Sequence, residues 1–146
     1  MRIATRRAAG LDSRGWTGDL RHEVTDYFDD LASEWHTRSS PQRTAVVIDA
    51  LVRGLDAGRA SNAGTAVEIG SGIGLYSHLI AERFDTVVAL DLSLQMLRLA
   101  PRGPARRVQA DAASLPLRDR SADAVILINS LLFPAEVDRV LSRDGV

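Results

Sequence analysis

The chain of 146 residues contains no cysteine and no lysine. Without cysteine there are no disulfides, no thiolate nucleophile and no cysteine-ligated metal. The missing lysines leave all 18 basic residues as arginine. We read this as the codon bias of a GC-rich genome, with a role in stability as the alternative. A surplus of charge of either sign is also lacking. The formal net charge of −1 gives no electrostatic reason to expect nucleic acid or an anionic membrane as a partner. No apolar run approaches the roughly 20 residues that span a bilayer. Residues 1–14 carry arginines with no apolar stretch behind them, unlike a secretory signal. A soluble cytoplasmic protein is therefore the expectation. The 45% of hydrophobic residues is enough for one domain with a real core.

What is present is glycine, concentrated in one place. The stretch Val67-Glu68-Ile69-Gly70-Ser71-Gly72-Ile73-Gly74 follows the apolar run Thr65-Ala66-Val67 and leads into an amphipathic stretch over 75–84. The pattern predicts a strand that breaks into a turn and then opens a helix. Glycine permits the sharp turn and lets a ligand lie against main chain with no Cβ between them. The helix start behind the turn offers unpaired N–H groups, and open α/β sheets bind nucleotide-like ligands at such strand ends. A second apolar run, Val87-Val88-Ala89-Leu90, ends in Asp91, whose carboxylate can accept hydrogen bonds from both hydroxyls of a ribose. The residues thus point to an adenosine-containing ligand. The dinucleotide fingerprint G-x-G-x-x-G reserves glycine for the place held here by Leu75. Glu68 at the strand end would repel a pyrophosphate but can organise a cation or bound water.

These residues resemble motif I of the class I S-adenosylmethionine-dependent methyltransferases, E/D-x-G-x-G-x-G, and Asp91 resembles that family's acidic motif II residue. Asp111-Ala112 looks like motif III, and Ser121-Ala122-Asp123-Ala124 is similar to motif IV, departing from it at Ala122. Asn129-Ser130 stands where the family contacts the methionine part of the cofactor. The stretch from Phe28 to His36 resembles the N-terminal helix of ubiquinone- and menaquinone-biosynthesis-type methyltransferases, in which an aromatic residue at the place of Trp35 lies over the cofactor. The resemblance implies S-adenosyl-L-methionine as cofactor, bound by Glu68, Gly70, Ser71, Gly72, Gly74, Asp91, Leu92, Asp111, Ala112, Asn129 and Trp35, and a small-molecule methyl acceptor. His36, beside Trp35, is a candidate catalytic base, and no metal site is expected. Asp111 and Asp123 have an alternative as turn or capping residues. Phe28 and Trp35 have an alternative as core aromatics at helical spacing. His78 shares a face with Glu82 at i, i+4, which favours a solvated pair.

Periodicity predicts a mobile tail over 1–18 and a domain over 19–146, an α/β Rossmann-like parallel sheet with flanking helices. Expected helices run over 20–35, from Pro41 to about 55–57 with Ser40 as cap, over 75–84, over 94–100 with Ser93 as cap, and over 134–141. The second of these should bury Val46, Val47, Ala50, Leu51 and Leu55. Strands are expected from the run Thr65-Ala66-Val67 to Glu68 at its end, and over 86–90, 106–110 and 124–128, the last buried on both faces. The resemblance covers only the first four of the family's seven strands, and Gly145-Val146 falls where the fifth usually begins. We therefore expect a chain truncated after the fourth strand, with that strand's edge exposed and open to self-association. Against a methyltransferase, the competing readings are a non-catalytic module of the same fold and a nicotinamide-dependent oxidoreductase, the latter disfavoured by Glu68 and Leu75.

Overall fold

The computed structural model describes residues 15–58 and 63–146. The expected tail is thus described only from Gly15 onward, and part of the expected connector ahead of the first strand lies outside the described residues. Helix α1, Gly18–Leu31, begins where the Thr17 side chain accepts from the Leu20 N–H. It buries Leu20 and Val24 and stops four residues earlier than its apolar spacing predicts, giving way to a 3₁₀ segment, Ala32–Arg38. Winding at about 3.0 residues per turn rather than 3.6 takes Trp35 off the stripe of α1. Its ring instead meets Phe28 edge to face, at 5.9 Å between centroids. Helix α2, Pro41–Ala57, starts at the expected cap, with Ser40 accepting from the Arg43 N–H at 3.2 Å and proline in the first turn.

The burial expected along α2 is not found. Only Leu55 is buried, Leu51 packs partly beside it, and Val46 is 68% exposed. The helix meets the sheet through its C-terminal half alone. Helix α3, Ser77–Ala81, is shorter than the predicted 75–84. Gly72 and Gly74, at φ of +56° and +72°, hold the backbone outside helical geometry until Tyr76 caps it. Helix α4, Leu94–Leu99, is capped by the Ser93 side chain accepting from the Met96 N–H, and α5 spans Pro134–Val140.

Four parallel strands, β1 Thr65–Ile69, β2 Thr86–Asp91, β3 Arg106–Gln109 and β4 Ala124–Leu127, lie in the order β3-β2-β1-β4. The chain builds outward from β1 through β2 to β3 and then returns to the other side of β1. The strand order therefore reverses between β1 and β4, and a crevice is expected above their C-terminal ends. Alternation along the strands sorts side chains onto two faces. Ala66, Val87, Ala124 and Ile126 join Leu55, Ile80 and Phe84 on one face, while Val67, Ile69 and Leu90 join Leu115, Ala122 and Val140 on the other.

β4 is apolar throughout, yet it alternates, with Ala124 and Ile126 buried and Val125 and Leu127 half-buried. Its outer edge is also less bare than expected. The Val125 N–H donates to the Val146 carbonyl at 2.8 Å, and the Val146 N–H donates to the Asp123 carbonyl at 3.1 Å. Those are the two bonds that a parallel neighbour opposite Ala124 makes. At the opposite end of the sheet from the crevice, the Asp123 carboxylate accepts from the Thr65 N–H at 2.8 Å. This places Asp123 in a structural role.

Candidate functional site

Above the C-terminal ends of β1, β2 and β4 lies a cavity of about 450 Å³, within the usual range for small-ligand sites. Its floor is the glycine turn. The Gly70 and Ser71 N–H groups both donate to the Leu90 carbonyl, at 2.8 and 3.0 Å, carrying the β1–β2 ladder into the loop. A Cβ on Gly70 would lie 2.7 Å from the Ser130 Cβ, so close packing as well as a φ of +72° requires glycine there. Gly72 is different. A Cβ on it would meet nothing nearer than the Trp35 Nε1 at 3.6 Å, so its main chain lies bare toward the cavity. Gly74, one of the predicted contact residues, does not line the cavity; a Cβ there would face Ser77 Oγ at 3.4 Å and Ala100 Cβ at 3.5 Å.

Two carboxylates stand beside this floor. Asp91 accepts from the Gly72 N–H through Oδ2 at 2.7 Å and from the Ser93 N–H through Oδ1 at 2.8 Å. It thereby straps the glycine turn to the start of α4 while its carboxylate keeps acceptor capacity toward the cavity that it lines. Burial pushes its pKa up, and the N–H groups of Ser93, Gly72 and Leu92 oppose that rise. Glu68 is only 2% exposed. It accepts from Ser77 Oγ at 2.5 Å, and its carboxyl is pushed up from 4.5 to about 7, chiefly by burial, against the lowering by the Ser77 bond. Beside it, Ser71 Oγ is buried with no hydrogen-bond partner. A buried hydroxyl without a partner is costly unless a ligand completes it.

The remaining predicted residues are distributed unevenly. Leu92, Asp111, Ala112, Asn129 and Trp35 all line the cavity, whereas His36 is exposed and does not. Asn129 holds a left-handed φ of +56°, a conformation that its short polar side chain tolerates at the end of β4. Asp111 is already engaged. Its Oδ1 accepts from the Ala113 N–H at 2.8 Å and from Trp16 Nε1 at 3.1 Å, while Oδ2 faces the same Trp16 nitrogen at 3.0 Å and Arg21 at 3.6 Å. Trp16 also packs edge to face on Phe133, at 5.4 Å. Docked structure thus begins ahead of residue 19, at a tryptophan read as part of the tail.

Other supports escaped the sequence reading. Asp29 of α1 accepts from Ser93 Oγ and from the Gln95 N–H at 3.2 Å, tying the N-terminal helix to α4 beside Asp91. Arg139 donates to Glu136, to Asp119 and to the carbonyls of Leu115 and Leu117, clamping the loop after Asp111 onto α5. Among the described residues no cluster of histidine and carboxylate side chains could hold a metal, and no helix is long and apolar enough to cross a membrane.

A parallel sheet whose order reverses at a glycine turn, with acidic residues at the ends of its two central strands, defines a Rossmann-like ligand-binding domain. Residues 67–146 match the family described as Methyltransferase domain, and the chain belongs to that family. No curated protein sequence matches the chain. Among solved structures, DhpI in its complex with SAM and HEP is 27% identical, covers 89% of this chain and 64% of its own, and superposes with a TM-score of 0.70. DhpI with SAH is 26% identical over 77% of this chain and 54% of its own, at a TM-score of 0.63. YcgJ of Bacillus subtilis shares the fold at 22% identity, a TM-score of 0.59, and coverage of 66% and 47%. The chain therefore spans between 47% and 64% of the length of these structures.

Proposed function

We propose that the chain is the cofactor-binding part of an S-adenosyl-L-methionine-dependent methyltransferase acting on a small-molecule acceptor. The observation that carries this reading is the convergence of Glu68, Ser71, the bare main chain of Gly72 and Asp91 on one cavity. Asp91 would receive the ribose hydroxyls on its carboxylate, and Glu68 would face the ligand's ammonium. Ser71 Oγ would find the partner that it lacks. Gly70 and Gly74 would serve through the shape of the turn, and Leu92, Ala112 and Asn129 through the wall that they form around the ligand. Asp111 would take part by sharing its oxygens with the Trp16 indole, which already lies against both of them. The buried Glu68 carboxyl beside the glycine turn, which when ionised would repel a pyrophosphate, favours this ligand over a dinucleotide.

When bound, the sulfonium supplies a methyl group that is already activated. The protein's part is to orient the acceptor and exclude water. Trp35 and Phe28 form an apolar wall for that purpose, and His36, exposed outside the cavity, is not assigned as a base. Calorimetry with S-adenosylhomocysteine and with NAD tests the assignment; binding of NAD in preference would overturn it. A second reading is a module of the same fold that binds cofactor without turning over substrate. Single-turnover assays with labelled cofactor separate the two. A cytoplasmic location and self-association along the edge of β4 complete the proposal.

A further inference from the structure

The charges around the cavity are segregated. Its carboxylates, Glu68, Asp91 and Asp111, all stand on the strand-end side. The N-terminal side carries two cations, Arg38 at the end of the 3₁₀ segment and Arg43 in the first turn of α2, with Ser39 between them. Among the described residues neither guanidinium forms a salt bridge or a hydrogen bond, although Arg21, Arg53, Arg83 and Arg139 all pair with acids. Glu34, one turn before Arg38, does not pair with it. Two unpaired guanidiniums on one wall repel each other, and the N-terminal end of α2 adds partial positive charge beside them. An oxyanion relieves all three, and the planar fork of arginine suits a carboxylate or phosphate group in particular. Between this wall and the glycine turn stand Trp35 and Phe28, a surface for an apolar or aromatic body.

Resting on the cofactor assignment above, we propose that Arg38 and Arg43 form the acceptor subsite, and that the acceptor is a small apolar or aromatic acid held by its carboxylate or phosphate-type oxyanion. The test titrates the full chain with benzoate, phenyl phosphate and the neutral benzamide, with and without saturating S-adenosylhomocysteine, by calorimetry or by NMR of the arginine Nε–H signals. The two oxyanions should bind saturably and benzamide should not. The double variant Arg38→Gln/Arg43→Gln should lose on the order of tenfold or more in oxyanion affinity. Arg98→Gln, an exposed arginine of α4 away from the cavity, should lose nothing. Affinity for S-adenosylhomocysteine should stay the same in the double variant.

Equal binding of benzamide, an unaffected double variant or an equal loss in Arg98→Gln each overturns the proposal. So does a double variant that loses affinity for S-adenosylhomocysteine but keeps it for 5′-methylthioadenosine, since the arginines would then serve the cofactor's own carboxylate. If the wild-type chain binds no S-adenosylhomocysteine, the cofactor assignment fails by itself. The titrations without it still show whether these arginines hold an oxyanion.

Discussion

Replacing Glu68 with glutamine should stabilise the ligand-free protein and weaken its hold on cofactor, two effects of opposite sign from one atom. The folded state keeps this carboxyl buried and raises it from 4.5 to about 7. An acid whose pKa is higher when folded binds its proton more tightly in that state. Its contribution to stability is complete below pH 4.5 and disappears as the pH rises to about 7. At about 1.4 kcal/mol per unit of pKa, the ionised form is disfavoured in the fold by about 3 kcal/mol. Glutamine stays neutral and can still accept from Ser77 Oγ, so it imitates the protonated side chain. Urea unfolding without ligand should then show the variant more stable than wild type by up to about 3 kcal/mol at pH 8, with little difference at pH 4.5. In calorimetry with S-adenosylhomocysteine at pH 8, the loss of a carboxylate opposite the ligand's ammonium should weaken binding by roughly 1.5–3 kcal/mol. A variant destabilised equally at both pH values would refute the argument, because Glu68 would then contribute as an ionised partner.

Three further outcomes are expected. Asp91→Ala should weaken cofactor binding by roughly 1.5–3 kcal/mol and also lower the melting temperature without ligand, because the Gly72 and Ser93 N–H groups lose their acceptor; unchanged affinity would remove the ribose role. Gly72→Val puts a β-branched side chain at a φ of +56° and on the face turned to the cavity. If it folds and still binds cofactor normally, the docking of ligand on that main chain is wrong. Sedimentation of residues 1–146 should show association that rises with concentration; a monomer at all concentrations would argue against the edge of β4 as a contact.

How far the sequence could be read depended on how local each signal was. The glycine turn, the caps at Ser40 and Ser93 and the acidic strand ends are set by a few adjacent residues, and the structure has them where they were expected. The strands and their parallel arrangement followed from apolar runs alternating with helical segments, whereas their order came from the structure. What could not be read is what depends on distant partners. The apolar spacing of α2 implies a buried stripe, but burial needs a neighbour, and only Leu55, with Leu51 beside it, reaches the core. The engagement of Asp111 by Trp16 joins residues 95 positions apart, and nothing local to either announces it. The clamp of Arg139 on the loop after Asp111 is similar in kind. His36 looked close to the ligand because it is next to Trp35 in sequence, yet adjacent residues on a 3₁₀ turn point in different directions.

The bond between Trp16 and Asp111 turns the segment ahead of α1 into a competitor for the ligand. A carboxylate has about four lone-pair positions; here the single indole N–H is shared between Oδ1 and Oδ2, Oδ1 also accepts from the Ala113 N–H, and Arg21 stands 3.6 Å from Oδ2. A further donor brought to Asp111, such as the amino group of a purine, would share these oxygens with the indole and compete with it for them. The indole is carried by the segment leading into the first helix. Affinity for such a base and docking of the N-terminus would then be linked equilibria, each lowering the other by the same factor. Holding that segment down or releasing it would reset the ligand affinity through one side chain of the cavity wall, Trp16.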